Sequence, residues 1–279
     1  MNPTPRLITV LSFGLTLTLS AATTPEAKPI GSSVFKWESL VVKPNANGER
    51  RDVANNPTPT FVVFESHITT LDPGKASHAP HTHNQEELIF LKEGDVEVHI
   101  NGKTTRAGAG SVFFFASNDS HNVTNVGTGR ATYWVVNFAT ARTADLTKHN
   151  QAPTLLSGVF DWTKMKPVKT ATGERRGVFE GSTVTLENIE MHVTTLNPGQ
   201  TPHAAHRHPD EEIIIIKEGA LEVSINGKTE RANAGSVLLY ASNDLHGMRN
   251  AADTPTTYYV IRAVTTATPK AQAAAAAAK

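Results

Sequence analysis

The sequence of 279 residues contains no cysteine and has no excess of charge of either sign. The absence of cysteine excludes disulfides, thiolate metal ligands and cysteine nucleophiles, so any bound metal must be held by nitrogen and oxygen atoms. Lysine and arginine together number 26, as do aspartate and glutamate. Because the formal net charge is zero and there is no long basic run, we expect no nucleic-acid or anionic-membrane partner.

An apolar run near the N-terminus is shorter than the roughly 20 residues that a membrane span needs. Arg6 precedes this run, which covers residues 7–19, and the small residues Ser20-Ala21-Ala22 follow it. This order is typical of a secretory signal peptide comprising residues 1–22. No twin-arginine pair precedes the run, so we expect export in an unfolded state to a secreted or periplasmic location, with no membrane contact after cleavage.

The chain repeats itself without a gap at an offset of 125 residues. Val34-Phe35-Lys36-Trp37 aligns with Val159-Phe160-Asp161-Trp162, and Ala116-Ser117-Asn118-Asp119 aligns with Ala241-Ser242-Asn243-Asp244. A gapless repeat of this length predicts two domains related by duplication. We assign them to residues 30–140 and 155–265, followed by a low-complexity, alanine-rich tail over residues 266–279.

Within each copy the pattern is that of short β-strands separated by turns. Runs of β-branched and aromatic residues are broken by Asp72-Pro73-Gly74, Glu93-Gly94-Asp95 and Asn101-Gly102. An Asn-Gly pair between alternating apolar runs is a strong hairpin signal. Closely spaced short strands predict an all-β barrel or jelly roll. The strands predicted in the first copy cover residues 61–71, 87–91, 96–100, 112–115 and 132–138.

Histidine occurs 12 times, and only His99 and His149 have no counterpart at the repeat offset. A β-barrel does not need histidine to fill its core, so retention in both copies indicates a function. The five related pairs are His67/His192, His78/His203, His81/His206, His83/His208 and His121/His246.

Three of the five histidine pairs are spaced so that, in each copy, three histidines can form a metal site with a glutamate. His81 and His83 lie two residues apart, so on one strand they project from the same face. Glu87 follows at the same parity, and antiparallel strands can bring His121 to the same interior point. Three imidazoles and a carboxylate suit Mn, Fe, Co, Ni, Cu or Zn and leave positions free for water or substrate. We predict one divalent metal per copy, bound by His81, His83, Glu87 and His121, and by His206, His208, Glu212 and His246.

These motifs resemble those of the cupin superfamily, and their duplication resembles a bicupin of the germin-like or quercetinase-like kind. The usual Pro-x-Gly turn of the second motif is replaced by Ser117-Asn118-Asp119 and Ser242-Asn243-Asp244. The resemblance implies two tandem jelly-roll barrels, each with a metal. The first motif is matched by Gly74, His81, His83, Glu87 and Gly94, and by Gly199, His206, His208, Glu212 and Gly219; the second is matched by Gly110, His121 and Asn125, and by Gly235, His246 and Asn250.

Four further histidines are candidate catalytic residues. His67 and His192 each follow a glutamate by two residues, so each pair shares one face of a strand. On an interior face these histidines could act in acid–base catalysis or orient metal ligands; the alternative is a polar pair at a domain interface. His78 and His203, three residues before the first ligands, could line a pocket or cap a loop.

Other residues are assigned structural roles. Tyr133 and Tyr258 are predicted to pack within the barrels, and Arg50-Arg51 and Arg175-Arg176 to lie on solvated loops. Apolar pocket walls are predicted from Phe90, Phe113, Phe115, Ile214, Ile216 and Leu238.

The resemblance implies a metalloenzyme that acts on a small molecule, dioxygenase-like or related, since bicupins include oxalate decarboxylases, flavonol dioxygenases and ureidoglycine aminohydrolases. A metal with open positions can bind dioxygen or polarise a carboxylate or carbonyl. Oxalate decarboxylases place an arginine three residues before the first ligand, where this chain has His78 and His203. An imidazole lacks the bidentate fork with which arginine holds a carboxylate, so oxalate is disfavoured.

Two other functions stay open. The protein could bind or store a metal or small ligand without turnover, or it could be a germin-like scaffold that forms a homo-oligomer. Metal identity is also open; loading outside the cytoplasm would favour Cu and Zn over Mn and Fe.

Overall fold

The computed structural model describes residues 28–148 and 152–269. The predicted signal peptide, residues 1–22, lies outside these ranges, as do His149 and most of the predicted alanine-rich tail. Within the described ranges, no helix has the length and apolar character needed to cross a membrane.

Each half of the chain folds into ten β-strands. The helical elements of the described residues are three single turns of 3-10 helix, at Trp37–Ser39, Leu146–Lys148 and Trp162–Lys164. The strands of the first half are β1 (Ser33–Phe35), β2 (Lys43–Asn45), β3 (Gly48–Asn56), β4 (Val63–Leu71), β5 (Glu86–Glu93), β6 (Asp95–Ile100), β7 (Lys103–Gly108), β8 (Val112–Phe115), β9 (His121–Asn125) and β10 (Ala131–Ala139). Those of the second half are β11 (Gly158–Phe160), β12 (Val168–Thr170), β13 (Gly173–Gly181), β14 (Asn188–Leu196), β15 (Glu211–Glu218), β16 (Ala220–Ile225), β17 (Lys228–Asn233), β18 (Val237–Tyr240), β19 (His246–Asn250) and β20 (Thr256–Val264).

The strands form two barrels, each built from a seven-stranded and a three-stranded sheet. In the first barrel the strand orders are β11-β8-β5-β10-β4-β3-β2 and β7-β6-β9. In the second barrel they are β1-β18-β15-β20-β14-β13-β12 and β17-β16-β19. Neighbouring strands are antiparallel, as a jelly roll requires. The predicted all-β fold of two tandem jelly-roll barrels is therefore confirmed.

The two barrels exchange their first strands. Strand β1 pairs with β18 of the second barrel, with Ser33 opposite Leu239. Strand β11 pairs with β8 of the first barrel, with Gly158 opposite Phe114. These two pairings are related by the repeat offset, so the exchange is reciprocal and each seven-stranded sheet contains one strand from the other half of the chain.

A tryptophan follows each exchanged strand and packs on a glycine of the other barrel. A Cβ atom placed on Gly235 would lie 2.5 Å from Cε3 of Trp37, and one on Gly110 would lie 2.7 Å from Cδ2 of Trp162. The two glycines have φ angles of +96° and +91°, which residues with a side chain rarely adopt. Both sterics and backbone conformation therefore require glycine at these positions.

The central strands are buried on both faces because the barrels pack against each other. In β5, Ile89 and Leu91 belong to the interior cluster of the first barrel, whereas Leu88 and Phe90 belong to a cluster shared by both barrels. This double burial explains the continuous apolar run of β5. Phe90 is therefore not a pocket wall, contrary to the prediction. The other predicted wall residues lie in the interior clusters of their own barrels and do not line either cavity, so the prediction was wrong for them as well: Phe113, Phe115, Ile214, Ile216 and Leu238.

A buried glutamate of each barrel is anchored by threonines of the other. Glu86, the first residue of β5, accepts hydrogen bonds from the hydroxyls of Thr183 and Thr185 at 2.7 and 2.9 Å. Burial raises the pKa of the Glu86 carboxyl, and these hydrogen bonds oppose the rise. The second barrel thus fixes the start of the strand that carries a predicted metal ligand in the first.

The reciprocal anchor lies at the start of β15. Glu211 accepts a hydrogen bond from the Thr58 hydroxyl at 2.7 Å and another from the backbone N–H of Thr60 at 3.2 Å. Burial raises the pKa of Glu211 to about 7, against the opposing effect of the same bonds. Each metal-ligating glutamate predicted from the sequence therefore follows directly after an interdomain anchor.

Candidate metal centres

The first candidate centre lies inside the first barrel, where a loop meets two strands. His81 and His83 lie in the irregular segment before β5, Glu87 is the second residue of β5, and His121 begins β9. The backbone N–H of His121 donates to the carbonyl of His81 at 3.0 Å, and His81 donates back at 3.3 Å. His81 therefore lies in an isolated β-bridge and His83 in a loop, whereas the sequence predicted both on one regular strand.

The three imidazoles converge on one point. Their ring centroids are 4.8 to 5.2 Å apart, and one nitrogen from each lies within 4.8 Å of the others. Glu87 lies beside them, with carboxylate oxygens 3.6 Å from Nε2 of His83 and 3.8 Å from Nε2 of His121. This spacing allows all four groups to contact a single ion.

The backbone fixes which ring nitrogen faces the centre. Nδ1 of His83 donates to the carbonyl of Gln85 at 2.8 Å, and Nδ1 of His121 donates to that of Asp119 at 2.8 Å. A carbonyl only accepts, so each Nδ1 carries the proton and each Nε2 presents a lone pair. Nε2 of His121 is buried and has no hydrogen-bond partner among the described residues. A buried lone pair of this kind fits a metal ligand.

The second barrel repeats this arrangement. The ring centroids of His206, His208 and His246 are 4.7 to 5.1 Å apart. An oxygen of Glu212 lies 3.2 Å from Nε2 of His208. Nδ1 of His246 donates to the carbonyl of Asp244 at 2.9 Å, and its buried Nε2 has no partner among the described residues. The second donor set therefore fits a metal as well as the first.

The pKa values of the second set shift in the same directions as those of the first, down for the first and third histidines and up for the second. Burial and neighbouring histidines lower the pKa of His206 to about 4. Burial also opposes protonation of His208, but hydrogen bonds with Asp210 and Glu212 raise its pKa to about 9. Without a metal, His208 is therefore the histidine of this set that best retains a proton.

A histidine–glutamate pair lines the first cavity beside the ligands. Nδ1 of His67 lies 2.8 Å from Oε1 of Glu65, which also accepts a hydrogen bond from Arg50 at 2.9 Å. The other carboxylate oxygen accepts from Asn137 at 2.9 Å. Burial raises the pKa of Glu65, but the hydrogen bond and charge of His67, with Asn137 and Arg50, hold it below its ordinary value.

The second barrel has the same pair. Nδ1 of His192 lies 2.8 and 3.0 Å from the two oxygens of Glu190, and Arg175 donates to that carboxylate at 2.7 Å. His67 and His192 line the two cavities, so the interface alternative does not apply. Their catalytic role stays a prediction. Arg50 and Arg175 lie on strands β3 and β13, so the prediction of solvated loops was wrong.

His78 and His203 are exposed and border the cavities. The ring of His78 lies 3.9 Å from that of His81, edge to face, and the ring of His203 lies 4.3 Å from that of His206. Nδ1 of each lies about 3 Å from the carbonyl of the next residue. They therefore flank the first ligand of each centre, and their role stays a prediction.

The two cavities have different sizes, about 810 Å³ in the first barrel and about 370 Å³ in the second. Tyr133 and Tyr258 are buried and pack in the barrels, as predicted, but each also lines its cavity.

Sequence reasoning did not identify three residues that line the cavities, Gln85, Asn137 and Arg262, or Asp210, which binds Arg262. Asn137 and Gln85 line the first cavity, whereas the equivalent positions hold Arg262 and Asp210, which form an ion pair with contacts of 2.7 and 3.1 Å. The signal that could have identified these positions is that their residues differ between the two copies of the repeat.

Comparison with known proteins agrees with this geometry. The cupin domain model matches residues 67–137 and again residues 192–262. No curated protein matches the chain by sequence. AerE from Microcystis aeruginosa is similar in structure, with a TM-score of 0.62 and 16% identity over 81% of this chain and 98% of its own.

Oxalate decarboxylase OxdC from Bacillus subtilis is similar too. A single-site mutant of it has a TM-score of 0.63 and 16% identity, over 86% of this chain and 79% of its own. A further structure of that enzyme, from work on its Mn(II) centres, has a TM-score of 0.62 and 16% identity over the same shares of both chains. At such identity the likeness shows the fold alone. The two domain matches, which together span half of the chain, and the two jelly-roll barrels show that this protein belongs to the cupin family and carries two cupin domains in tandem.

Proposed function

We propose that this protein is a metal-dependent enzyme that acts on a small molecule and holds one divalent transition metal in each barrel. The observation that carries the proposal is the buried, unpaired Nε2 of His121 and of His246 within the described residues, each with its Nδ1 fixed by a carbonyl. An unpaired buried polar atom costs about 1–3 kcal/mol, which a metal–ligand bond would recover.

The residues that would hold the metals are His81, His83, Glu87 and His121, and their equivalents in the second barrel. A divalent metal bound there would supply Lewis acidity and, where redox-active, electrons for dioxygen chemistry. The absence of thiolate suits Mn, Fe, Ni, Cu or Zn. The OxdC structure concerns Mn(II) centres, whereas unfolded export of this chain would favour Cu or Zn.

Proton transfer is assigned to His67. Its Nδ1 proton is held by Glu65, which leaves Nε2 as an acceptor on the side of the cavity. The residue can then accept a proton from a substrate hydroxyl or carbon acid, and the carboxylate of Glu65 stabilises the imidazolium that results. Arg50 and Asn137 hold Glu65 in place.

The substrate we propose is not oxalate, despite the fold shared with oxalate decarboxylase. The positions that carry an arginine in that family hold His78 and His203, which are exposed and lie against the first ligands. Export by residues 1–22 to a secreted or periplasmic location is part of the proposal and is supported by sequence alone.

The test is elemental analysis of protein purified from its native compartment, with dioxygen uptake measured over a panel of small phenolic and carbonyl substrates. We expect about one metal per barrel in the wild type, and loss of about half after either His81→Ala or His206→Ala. His99→Ala, on β6 and outside both cavities, is the matched control and should leave metal content unchanged. Unchanged metal in both ligand variants refutes the proposal. Full metal with no turnover of any substrate favours the non-catalytic, metal-binding alternative.

A further inference from the structure

The two cavities differ in size although their metal-ligating residues and histidine–glutamate pairs are the same. Pockets for small molecules generally occupy about 300–1,000 Å³. The first cavity, of about 810 Å³, lies in the upper part of this range, and the second, of about 370 Å³, lies near its lower limit. The cause must therefore lie at positions where the two copies differ.

An arginine that lines the second cavity is held in an ion pair. Arg262, on β20, donates from Nε to one oxygen of Asp210 at 2.7 Å and from its terminal nitrogen to the other at 3.1 Å. Such a two-point fork fixes both side chains. Asp210 is buried, and its Oδ1 also lies 3.3 Å from Nδ1 of His208. The fork thus fastens the guanidinium that lines the cavity to the segment that carries a metal ligand.

The first barrel has no equivalent fork in the described residues. Asn137 occupies the position of Arg262 but donates to Glu65 at 2.9 Å. Gln85 occupies the position of Asp210 and lines the open cavity. Two uncharged amides therefore stand where the second barrel has a closed ion pair.

A second difference acts in the same direction. Met248 lines the second cavity at the position that Val123 holds in the first. The longer, unbranched methionine side chain reaches further and adapts to fill gaps. At both positions the smaller, second cavity has the longer side chain, Arg262 against Asn137 and Met248 against Val123.

We infer that the first barrel alone admits the substrate, and that the Arg262–Asp210 fork reserves the second barrel for its metal. This inference rests on the proposed metal function. The amides Asn55, Gln85 and Asn137 line the first cavity, and its one arginine, Arg50, is already paired with acidic side chains. The cavity therefore suits a polar molecule that carries hydroxyl or carbonyl groups, with no excess of charge of either sign.

The test compares ligand access to each metal separately. His206→Ala leaves only the first centre complete, and His81→Ala leaves only the second; each is loaded with Co(II) and its metal content is measured. Azide, as a small probe, and benzohydroxamate, as a larger one, are then titrated by visible spectroscopy. We expect azide affinities within about threefold of each other, and benzohydroxamate affinity at least about tenfold higher in the first barrel.

Exchanging the fork distinguishes its effect from that of the barrel as a whole. In the His81→Ala background, Asp210→Gln with Arg262→Asn should raise benzohydroxamate affinity about tenfold. The matched control replaces Glu222 and Arg249 by Gln and Asn, which removes an exposed ion pair of the same barrel, and should change nothing. The carbonyl of Asp210, which accepts from His208, is retained, so metal content should persist.

The reverse exchange, Gln85→Asp with Asn137→Arg in the His206→Ala background, should lower benzohydroxamate affinity. If this protein fails to fold, the variant that removes the fork, Asp210→Gln with Arg262→Asn, decides the question. The inference is overturned if the two parent proteins, His206→Ala and His81→Ala, bind benzohydroxamate with equal affinity. It is also overturned if removal of the fork leaves that affinity unchanged at full metal content. Failure of both parents to hold Co(II) instead refutes the proposed function, and the inference falls with it.

Discussion

Substitution of Gly235 by alanine tests whether the exchanged strand is anchored through Trp37. The new Cβ would lie 2.5 Å from the indole ring, well inside van der Waals contact, at a φ of +96°. The left-handed backbone costs about 1–2 kcal/mol for a residue with a side chain. Overpacking against a fixed ring adds about 1–3 kcal/mol. We therefore expect the free energy of unfolding to fall by about 2–5 kcal/mol.

Gly227→Ala is the matched control for the backbone. Gly227 has a φ of +82°, yet nothing lies within 4 Å of the position of its Cβ. Only the cost of about 1–2 kcal/mol for the left-handed backbone applies there. The excess for Gly235→Ala over this control measures the contact with the ring. By the internal repeat, Gly110→Ala should behave like Gly235→Ala because its Cβ would meet Trp162 at 2.7 Å.

The assay is equilibrium unfolding in urea, followed by circular dichroism and by tryptophan fluorescence. Trp37→Leu combined with Gly235→Ala should be less destabilising than the sum of the two single changes, because the smaller side chain removes the clash. Equal destabilisation by Gly235→Ala and Gly227→Ala, or strict additivity in the double variant, would refute the anchoring argument.

Three further results are expected. Thr58→Val should destabilise the fold by about 1–3 kcal/mol in urea unfolding, because buried Glu211 loses a hydrogen bond at 2.7 Å. Thr229→Val, on exposed β17, is the control and should have little effect. Equal effects of the two substitutions would contradict the interdomain anchor. Glu65→Gln should lower kcat about 10- to 100-fold by releasing His67, with metal content unchanged in elemental analysis; unchanged kcat would remove Glu65 from the mechanism. A chelator should lower the Tm of the wild-type protein, measured by calorimetry, because bound metal stabilises the folded state. It should not lower the Tm of a variant that lacks one histidine ligand in each barrel. An equal fall in the two proteins would show an effect unrelated to these sites.

Periodicity located the central strands because burial leaves a clear apolar signal. Strand β8 has the predicted bounds, and β5 and β10 are close to them. Strands β3 and β7 were missed since they are polar: Gly48–Asn56 is half-exposed and ion-paired, and most of Lys103–Gly108 is exposed. The reciprocal exchange was also missed, because β8 and β18 are both short apolar strands and the pattern of β1 suits either partner.

The convergence of three histidines in each barrel was predictable because donor type and spacing limit a metal site closely. Their immediate surroundings were not. The orientation of His83 and His121 depends on carbonyls of loop residues, which no side-chain pattern records. The fork of Arg262 and Asp210 joins residues 52 positions apart in sequence, so only the folded barrel brings the charges together.

The reciprocal exchange of first strands has the symmetry of a twofold dimer. Ser33 opposite Leu239 and Gly158 opposite Phe114 are equivalent contacts, as between two identical subunits. The connection between the barrels turns that bimolecular encounter into an intramolecular one, at an effective concentration on the order of millimolar. Assembly of the paired barrels is thus independent of dilution, and a single chain can vary one half of a symmetric pair while it conserves the other.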